Sequence, residues 1–411
     1  NPIKIIGYKV TPNDIVPNDW NTLVTMGIPN TAESPVLMGT ITNNRPTQDN
    51  GLVVNSDWIE FRNFASYGYN RPFQFLGDNA VIDNIYTYKS GTHNPADQGG
   101  FDTTFPTGSY TGYGVIVRSD NHLLTNCYVL DAGAEGIRVY SSNNFTHRNN
   151  KVHTILGVGG YYADPTTTDG NSTDYHYLIS GNCSGGRIYN AHVEQKKGMY
   201  SDGHGIVFKS PNSSSPITDM VVDGFLVKNS KLETQFPNVT NITFRNGELT
   251  TDDASHLDGK DANIGQNSTN ITLENVRFTG GAHIAFRSWP DIYDQSYSYS
   301  ANDVKILNCS FEGDGRGSAV WITHGPQNLD NWIANNVTFD HCTFNNYYRL
   351  AYMSSDHQNI NFDNCIVSNM TEYYVIGYHD GAGPNGGTGG PYPLVADWVT
   401  SNFFGNSFLP P

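Results

Sequence analysis

One short pattern, a strand followed by a turn that contains asparagine, recurs along most of this 411-residue chain. The clearest copies are Gly114–Asn121, Gly136–Asn143, Tyr175–Asn182, Gly205–Asn212, Lys231–Asn238 and Asn263–Asn270. Each turn is followed by a second strand in which apolar and polar residues alternate, as in Ile271–Phe278. Such self-similarity indicates a repeat architecture in which each unit buries its apolar face against the next.

Successive asparagine turns lie 22 to 39 residues apart, which fits the coils of an all-β solenoid, a single-stranded right-handed parallel β-helix. Asparagine suits stacked turns because it tolerates the left-handed conformation, and its amide can hydrogen-bond to its neighbour in the next coil. We predict one domain over residues 1–411, with an opening coil at 1–50 and a C-terminal loop and cap at 380–411. The excess residues predict long loops on one side, at 88–112, 156–174, 190–203, 247–262 and 289–303.

Composition agrees with this architecture and excludes two classes of partner. Charged residues are only 15% of the chain, and the formal net charge is −16, which argues against a nucleic-acid partner because phosphate binding needs a basic surface. A run of about 18 apolar residues is absent, so we expect no membrane span. The first residues lack a signal-peptide pattern, as in a mature chain, and we expect a secreted protein, extracellular or periplasmic.

The five cysteines all directly follow an asparagine or a histidine, which places them in one slot of the repeat. A CxxC pair or finger-type spacing with histidine is absent, so a disulfide framework or metal cluster is disfavoured. We predict buried free thiols at Cys127, Cys183, Cys309, Cys342 and Cys365.

Alternation within the repeated strand separates an inner from an outer face. Positions two and four are mainly apolar and are predicted to point inward; examples are Val115, Val139, Phe208 and Leu178. Positions three and five then point outward, and they include Arg118, Arg138, Tyr140, Lys209, Glu233 and Gln235, with Arg287 on a later repeat and Trp289 near this face. Cations stacked about 4.8 Å apart repel one another unless anions lie between them. The outer face is therefore either an anion-binding surface or a solvated face with local ion pairs.

Acidic residues and histidines are concentrated in two loops beside this face. One loop holds Tyr200, Asp202 and His204, and the other holds Asp252, Asp253, His256, Asp258 and Asp261. These side chains could perform proton transfer. Hard oxygen ligands such as Asp252, Asp253 and Asp261 could equally hold Ca²⁺, and either loop could be a purely structural polar turn.

The chain resembles the pectin-lyase-like β-helix superfamily of polysaccharide lyases, hydrolases and epimerases. Gly203–Ser210 is similar to the Gly-His-Gly strand of polygalacturonases, and Leu257–Gly265 is similar to their Asn-Thr-Asp-Gly segment. The resemblance implies a polysaccharide substrate in a groove along the β-helix, and it implies that Asp258 is a catalytic acid or base.

Three functions fit these residues. The first is endo-acting hydrolysis of an anionic, sulfated or uronate polysaccharide, which needs two carboxyl groups and no cofactor; its candidate catalytic carboxylates are Glu233, Asp258, Asp261 and Asp202. The second is β-elimination by a lyase, with Lys209 or His204 as the base and an arginine or Ca²⁺ as the neutralising cation. The third is non-catalytic binding, as in a tailspike. In each case the expected substrate-binding residues are Arg138, Tyr140, Arg287, Gln235, Arg118, Tyr200, His256 and Trp289, and the oligomeric state is left open.

Overall fold

The computed structural model of the chain describes a set of segments rather than every residue. These segments are 3–7, 35–42, 45–91, 101–102, 109–110, 112–154, 175–195, 204–210, 214–235, 238–252, 261–265, 268–286, 300–322, 333–354, 358–378, 392–393, 403–404 and 407–409. Within them the chain consists of β-strands, turns and bends, and it contains no helix. The prediction of an all-β parallel β-helix is confirmed.

Twenty strands lie in the described segments of the first half of the chain. They are β1 (Ile3–Ile6), β2 (Val36–Met38), β3 (Ile41–Thr42), β4 (Arg45–Pro46), β5 (Gln48–Val54), β6 (Ile59–Tyr67), β7 (Tyr69–Phe75), β8 (Val81–Tyr88), β9 (Phe101–Asp102), β10 (Ser109–Tyr110), β11 (Tyr113–Val117), β12 (Leu123–Thr125), β13 (Tyr128–Leu130), β14 (Glu135–Tyr140), β15 (Thr146–Arg148), β16 (Lys151–Thr154), β17 (Tyr175–Ser180), β18 (Cys183–Ser184), β19 (Arg187–Tyr189) and β20 (His192–Gln195).

The second half continues the same succession of short strands. They are β21 (His204–Lys209), β22 (Ile217–Asp223), β23 (Leu226–Lys228), β24 (Lys231–Gln235), β25 (Val239–Arg245), β26 (Glu248–Thr250), β27 (Asp261–Ile264), β28 (Thr269–Glu274), β29 (Arg277–Thr279), β30 (His283–Phe286), β31 (Ser300–Leu307), β32 (Ser310–Glu312), β33 (Ser318–Ile322), β34 (Ile333–Asp340), β35 (Thr343–Asn345), β36 (Arg349–Ser354), β37 (Gln358–Asp363), β38 (Ile366–Ser368), β39 (Glu372–Tyr378), β40 (Tyr392–Pro393), β41 (Phe403–Phe404) and β42 (Ser407–Leu409). Parts of the predicted loops at 88–112, 190–203, 247–262 and 289–303 are therefore strand.

The chain divides into two compact units. Unit 1 comprises residues 1–207 and 222–230, and unit 2 comprises 208–221 and 231–411. The single domain stays a prediction, and each unit is described by itself.

In unit 1, β5, β7, β11, β14 and β17 pair in parallel, one strand per coil, and form what we call the front sheet of unit 1. Its back sheet runs from β6 through β8 to the strand pairs β12/β13, β15/β16 and β19/β20, and ends at β23.

Unit 2 repeats the arrangement with its own two sheets. Its front sheet contains β24, β27, β30, β33, β36 and β39 in parallel. Its back sheet stacks the pairs β25/β26, β28/β29, β31/β32, β34/β35, β37/β38 and β41/β42. Phenylalanines stack between coils in its core; the rings of Phe339 and Phe362, for example, lie 4.6 Å apart and nearly parallel.

Apolar rows that run from coil to coil form the core of unit 1. Phe73, Val115, Ile137 and Tyr177 lie opposite one another on successive strands, and each is 0% exposed. The predicted inward positions are therefore confirmed, with one exception. Leu178 was predicted to point inward but lies opposite Arg138 in an outward row. The prediction was wrong by one residue, and a slip of one residue exchanges the two faces of a strand.

Left-handed residues close the turns, as predicted, although not always at the predicted asparagine. Asn121, Asn238 and Asn270 have positive φ, whereas Asn144 and Gly181 take this role beside Asn143 and Asn182. Amide contacts between coils are also present. In the back sheet of unit 1 a column of amides links successive coils, although through other asparagines than those of the aligned turns: Asn126 Nδ2 donates to Asp83 Oδ1 (2.8 Å), Asn149 Nδ2 to Asn126 Oδ1 (3.2 Å) and Asn190 Nδ2 to Asn149 Oδ1 (3.0 Å).

All five cysteines are buried free thiols, which confirms the prediction made from their shared slot. Burial raises the pKa of the Cys183 thiol to about 11 and raises the pKa of Cys127 further. Because the thiolate is the reactive form, burial lowers the reactivity of Cys183 and Cys127.

A chain of hydrogen bonds between buried polar side chains lies inside unit 1. His122 Nδ1 contacts the carbonyl oxygen of Ser119, which can only accept, so this nitrogen carries the proton and Nε2 of the neutral ring carries the lone pair. His147 Nε2 lies 2.6 Å from His122 Nε2 and therefore donates to it, and His147 Nδ1 accepts from the Tyr177 hydroxyl. Burial lowers the pKa of His122 to about 4 and that of His147 well below its usual range. Burial therefore favours the neutral form of both rings, and the hydrogen bonds of the chain fit that form.

Candidate functional site

A column of polar and aromatic side chains runs along one edge of the front sheet of unit 1. Tyr113, Glu135 and Tyr175 lie opposite one another at the start of β11, β14 and β17. The His204 ring stacks on the Tyr175 ring at 4.7 Å and 13°. The predicted site residue His204 is therefore half-buried and joined to this column through an aromatic contact.

Three arginines contact two tyrosine rings, one of which is Tyr113 of this column. The guanidinium carbon of Arg138 lies 5.1 Å from the centre of the Tyr140 ring and 5.6 Å from that of Tyr113. Arg118 lies 4.7 Å from the Tyr140 ring, and Arg71 lies 5.5 Å from the Tyr113 ring. We call these five residues the arginine–tyrosine face. Each ring sits between two cations, and cation–π contacts of this kind hold the guanidinium groups in place.

The structure therefore brings together three residues that the sequence predicted to bind substrate, namely Arg118, Arg138 and Tyr140. Arg118 is exposed, while Arg138 and Tyr140 are half-buried. Guanidinium groups bind sulfate and carboxylate through charge-assisted hydrogen bonds, which are stronger than neutral ones. Chemically, the arginine–tyrosine face can bind an anionic ligand.

Glu135 is part of the same site, and the sequence reasoning missed it. Its Oε1 accepts a hydrogen bond from Arg138 Nη1 at 3.2 Å, and the residue is 9% exposed. Burial raises the pKa of the neighbouring Tyr113 hydroxyl, and the charge of Glu135 raises it further. Glu135 directly precedes the repeat copy that begins at Gly136, so the alternation rule assigned it no position.

In unit 2, Lys209, Gln235 and Glu233 lie close together. The Ser210 N–H donates to the Gln235 carbonyl oxygen at 3.2 Å, which places Lys209 opposite Gln235 in the parallel ladder. Both side chains are half-buried. Glu233 lies two residues before Gln235 on β24 and is 0% exposed.

Glu233 stands in the outward row of the front sheet of unit 2. Its ladder partner is Asn263, not Gly265 as the repeat alignment implied. Asn263 Nδ2 donates to Glu233 Oε1 at 3.3 Å. The row continues through Ala285 to Trp321. The predicted catalytic carboxylate is thus held by a buried amide, and it offers no surface to solvent in this conformation.

Seven of the predicted site residues lie outside the described part of the chain. They are Tyr200, Asp202, Asp253, His256 and Asp258 of the two loops, and Arg287 and Trp289 of the outer face. Asp261 is described by its backbone alone, where it pairs with His283, and Asp252 is exposed just after β26. The catalytic pairing of Glu233 with Asp258 and the Ca²⁺ site at Asp252, Asp253 and Asp261 stay predictions.

A second cluster of chemically capable side chains lies on the back sheet of unit 1. His153, His192 and Glu194 place one ligand atom each within 4.8 Å of the others. Sequence reasoning missed them because the three come from two different coils and no short motif contains them.

Comparison with known proteins gives the fold. No protein family matches the chain, and no curated protein sequence matches it. Among solved structures it is similar to PfbA, a surface adhesin of Streptococcus pneumoniae, with 10% identity and a TM-score of 0.54 over 83% of each chain. It is also similar to the catalytic unit of a thermostable GH87 alpha-1,3-glucanase from Streptomyces thermodiastaticus strain HF3-3, with 12% identity and a TM-score of 0.51. That match covers 90% of this chain and 62% of the glucanase.

At such low identity these similarities establish the fold class alone. They agree with the stacked parallel strands in placing the chain among parallel β-helix proteins. None of the described segments forms a helix long and apolar enough to cross a bilayer.

Proposed function

We propose that the protein is a secreted carbohydrate-active β-helix protein that binds an anionic polysaccharide on the arginine–tyrosine face of unit 1. The observation that carries the proposal is the interleaving of Arg71, Arg118 and Arg138 with the rings of Tyr113 and Tyr140. Holding three like charges on neighbouring coils is unfavourable unless anions compensate them. Glu135 and Asp49 supply part of that compensation, to Arg138 and Arg71 respectively. A sulfated or uronate chain would complete it at Arg118.

Binding is tested with two substitutions and a matched control. Arg118→Ala and Arg138→Ala should each weaken binding of a sulfated or uronate polysaccharide by at least tenfold, since hydrogen bonds to charged groups contribute about 1.5–3 kcal/mol each. Arg148→Ala is the control, because Arg148 also lies over a tyrosine, Tyr189 at 5.1 Å, but on the back sheet. Equal effects of all three substitutions would show that only overall charge matters, and the face would lose its assignment.

We further propose that an anionic polysaccharide is cleaved at unit 2 by endo-acting, carboxylate-based hydrolysis, with Glu233 and Asp258 as the acid–base pair. The support is that Glu233 lies in an outward row and is oriented by Asn263, and that a parallel β-helix of similar fold is an alpha-1,3-glucanase. Glu233→Gln should lower turnover by about 10²–10⁴-fold, the usual contribution of general acid–base catalysis. Glu248→Gln, which alters a more exposed carboxylate paired with Arg277, is the control.

A lyase is the second candidate, and one observation favours it. On unit 1 the arginines that could neutralise a uronate adjoin the column that ends at His204, a possible base. Incubation with alginate, pectate, carrageenan and fucoidan separates the reactions: hydrolysis gives new reducing ends without absorbance near the unsaturated-uronate band, and elimination gives both. If His204→Ala abolishes turnover and Glu233→Gln does not, the hydrolase proposal is wrong. Polysaccharide binding without the formation of new reducing ends would identify the protein as a non-catalytic polysaccharide binder.

A further inference from the structure

The cluster of His153, His192 and Glu194 lies on the outer side of the back sheet of unit 1. His153 of β16 is opposite Glu194 of β20, and Lys151 is opposite His192. The residues between them, Val152 and Val193, point into the core and are at most 1% exposed. Alternation therefore turns all three cluster side chains to the same outer side of two adjacent strands.

The potential ligand atoms converge. His192 Nε2 lies 3.5 Å from Glu194 Oε2, and the rings of His153 and His192 lie 4.4 Å apart. All three ligand atoms fall within 4.8 Å of one another. In a tetrahedral zinc site with bonds of roughly 2.0–2.1 Å, ligand atoms are about 3.3 Å apart. The half-buried His192 and Glu194 side chains need to move by about an ångström to reach that spacing.

The described hydrogen bonds of the cluster leave one ring nitrogen of His153 unsatisfied. The residue is 8% exposed. Its Nδ1 lies 3.2 Å from the Tyr128 hydroxyl, which orients the ring. Its Nε2 is buried and has no hydrogen-bond partner among the described residues. A buried polar nitrogen without a partner is costly, and a metal ion would satisfy it.

The surroundings of Glu194 match those of a ligating carboxylate. Glu194 Oε1 accepts from Lys228 Nζ at 3.2 Å, while Oε2 is the atom nearer to His192. Metal-bound carboxylates and histidines are commonly held by a further hydrogen bond of this kind. Lys228 and Tyr128 would thus orient the ligands from outside the coordination sphere.

We propose that His153 Nε2, His192 Nε2 and Glu194 Oε2 bind one divalent transition-metal ion of the Zn²⁺ class. Two imidazoles with one carboxylate favour zinc over the oxygen-seeking Ca²⁺ and Mg²⁺. A water molecule would complete the coordination. The site is separate from the arginine–tyrosine face and does not depend on the proposed polysaccharide activity.

The test uses the full chain, freed of any purification tag and of metal by dialysis against a chelator. Calorimetric titration with Zn²⁺ should show one ion per chain, and Co²⁺ should give the intense visible absorption of a four-coordinate site. His192→Gln and Glu194→Gln should each weaken Zn²⁺ binding by at least tenfold. His341→Gln is the matched control, because His341 also lies beside a carboxylate, Asp340 at 2.7 Å, but is exposed in unit 2.

Each outcome decides the proposal. Stoichiometric binding that His192→Gln and Glu194→Gln reduce and His341→Gln leaves unchanged supports it. Absence of Zn²⁺ binding, or binding that either cluster substitution leaves within twofold of the wild type, overturns it. His153→Gln is the most informative ligand change, and if that variant does not fold, the other two are decisive, because their side chains are only half-buried.

Discussion

Acidification should destabilise unit 1 through the buried His122–His147–Tyr177 chain. Burial favours the neutral form of both rings, with the His122 Nδ1 proton donated to Ser119 and one proton shared by the two Nε2 atoms. In the unfolded chain each histidine titrates near 6.5, whereas the folded pKa of His122 is about 4. The unfolded state therefore binds protons first as the pH falls. The stabilising contribution is fully present above 6.5, and it is lost as the pH falls toward 4.

The magnitude follows from the difference between the two pKa values. One pKa unit corresponds to about 1.4 kcal/mol, so His122 alone should remove about 2 kcal/mol of unfolding free energy at pH 5 and about 3 kcal/mol at pH 4. His147 adds to this, because burial and the neighbouring His122 lower its pKa as well. Against typical stabilities of about 5–15 kcal/mol such a loss is large.

Urea unfolding at pH 7 and pH 5 measures the effect. His122→Gln should be less stable at pH 7, but its loss on going to pH 5 should be smaller than that of the wild type by about 2 kcal/mol. His341→Gln, which changes an exposed histidine, should keep the wild-type profile within about 0.5 kcal/mol. Nitrogen-15 spectra should show protons on His122 Nδ1 and His147 Nε2. A wild-type profile that is flat between pH 7 and pH 5, or a His122→Gln profile parallel to it, would refute the neutral chain.

Three further predictions concern other parts of the structure. The five cysteines should resist thiol reagents in the native state, and a reductant should leave the melting temperature unchanged; a mass shift on reduction would contradict this. Gly136→Ala should lower the unfolding free energy by about 1–3 kcal/mol in urea titrations, because a Cβ there would overlap the Val152 side chain and the His176 carbonyl oxygen; an unchanged midpoint would show that the coils can separate. Polysaccharide binding should weaken as salt rises from low to high concentration, and a neutral glucan or xylan as the best ligand would disprove the anion-binding assignment.

The fold was predictable from the sequence because the inward rows carry a strong signal. Val115, Ile137 and Ile206 occupy the same position in three copies of the repeat, and the structure buries all of them completely. The register was less predictable. The repeat alignment used the turns to place the strands Tyr175–Ser180 and Lys231–Gln235. Turns such as the one at Gly181 shift the register of the strands. For this reason Leu178 and the ladder partner of Glu233 were misassigned.

The sites were predictable only in part, and for a physical reason. Arg118, Arg138 and Tyr140 could be grouped because alternation on known strands determines which side chains share a face. Glu135 precedes the repeated strand, and the histidine cluster joins residues of separate coils. His147 was missed because it is a polar residue in an inward row, where the alternation rule expects an apolar one. It lies between Leu124 and Ile188, and the sequence does not reveal the hydrogen bonds that its ring nitrogens make there.

The amide column of the back sheet of unit 1 has a direction. In every step the later coil donates through Nδ2 and the earlier coil accepts through Oδ1. The first member only accepts, and it is Asp83, whose carboxylate lacks a donor; beyond Asn190 the next coil presents Gly224. Spontaneous deamidation converts asparagine to aspartate, so at Asn149 it would remove a donor and set a carboxylate against the carbonyl oxygen of Asn126. Deamidation of Asn149 in an ageing protein would therefore break the contact between two coils in the middle of the column. The first position cannot be changed in this way, because Asp83 is already an acid.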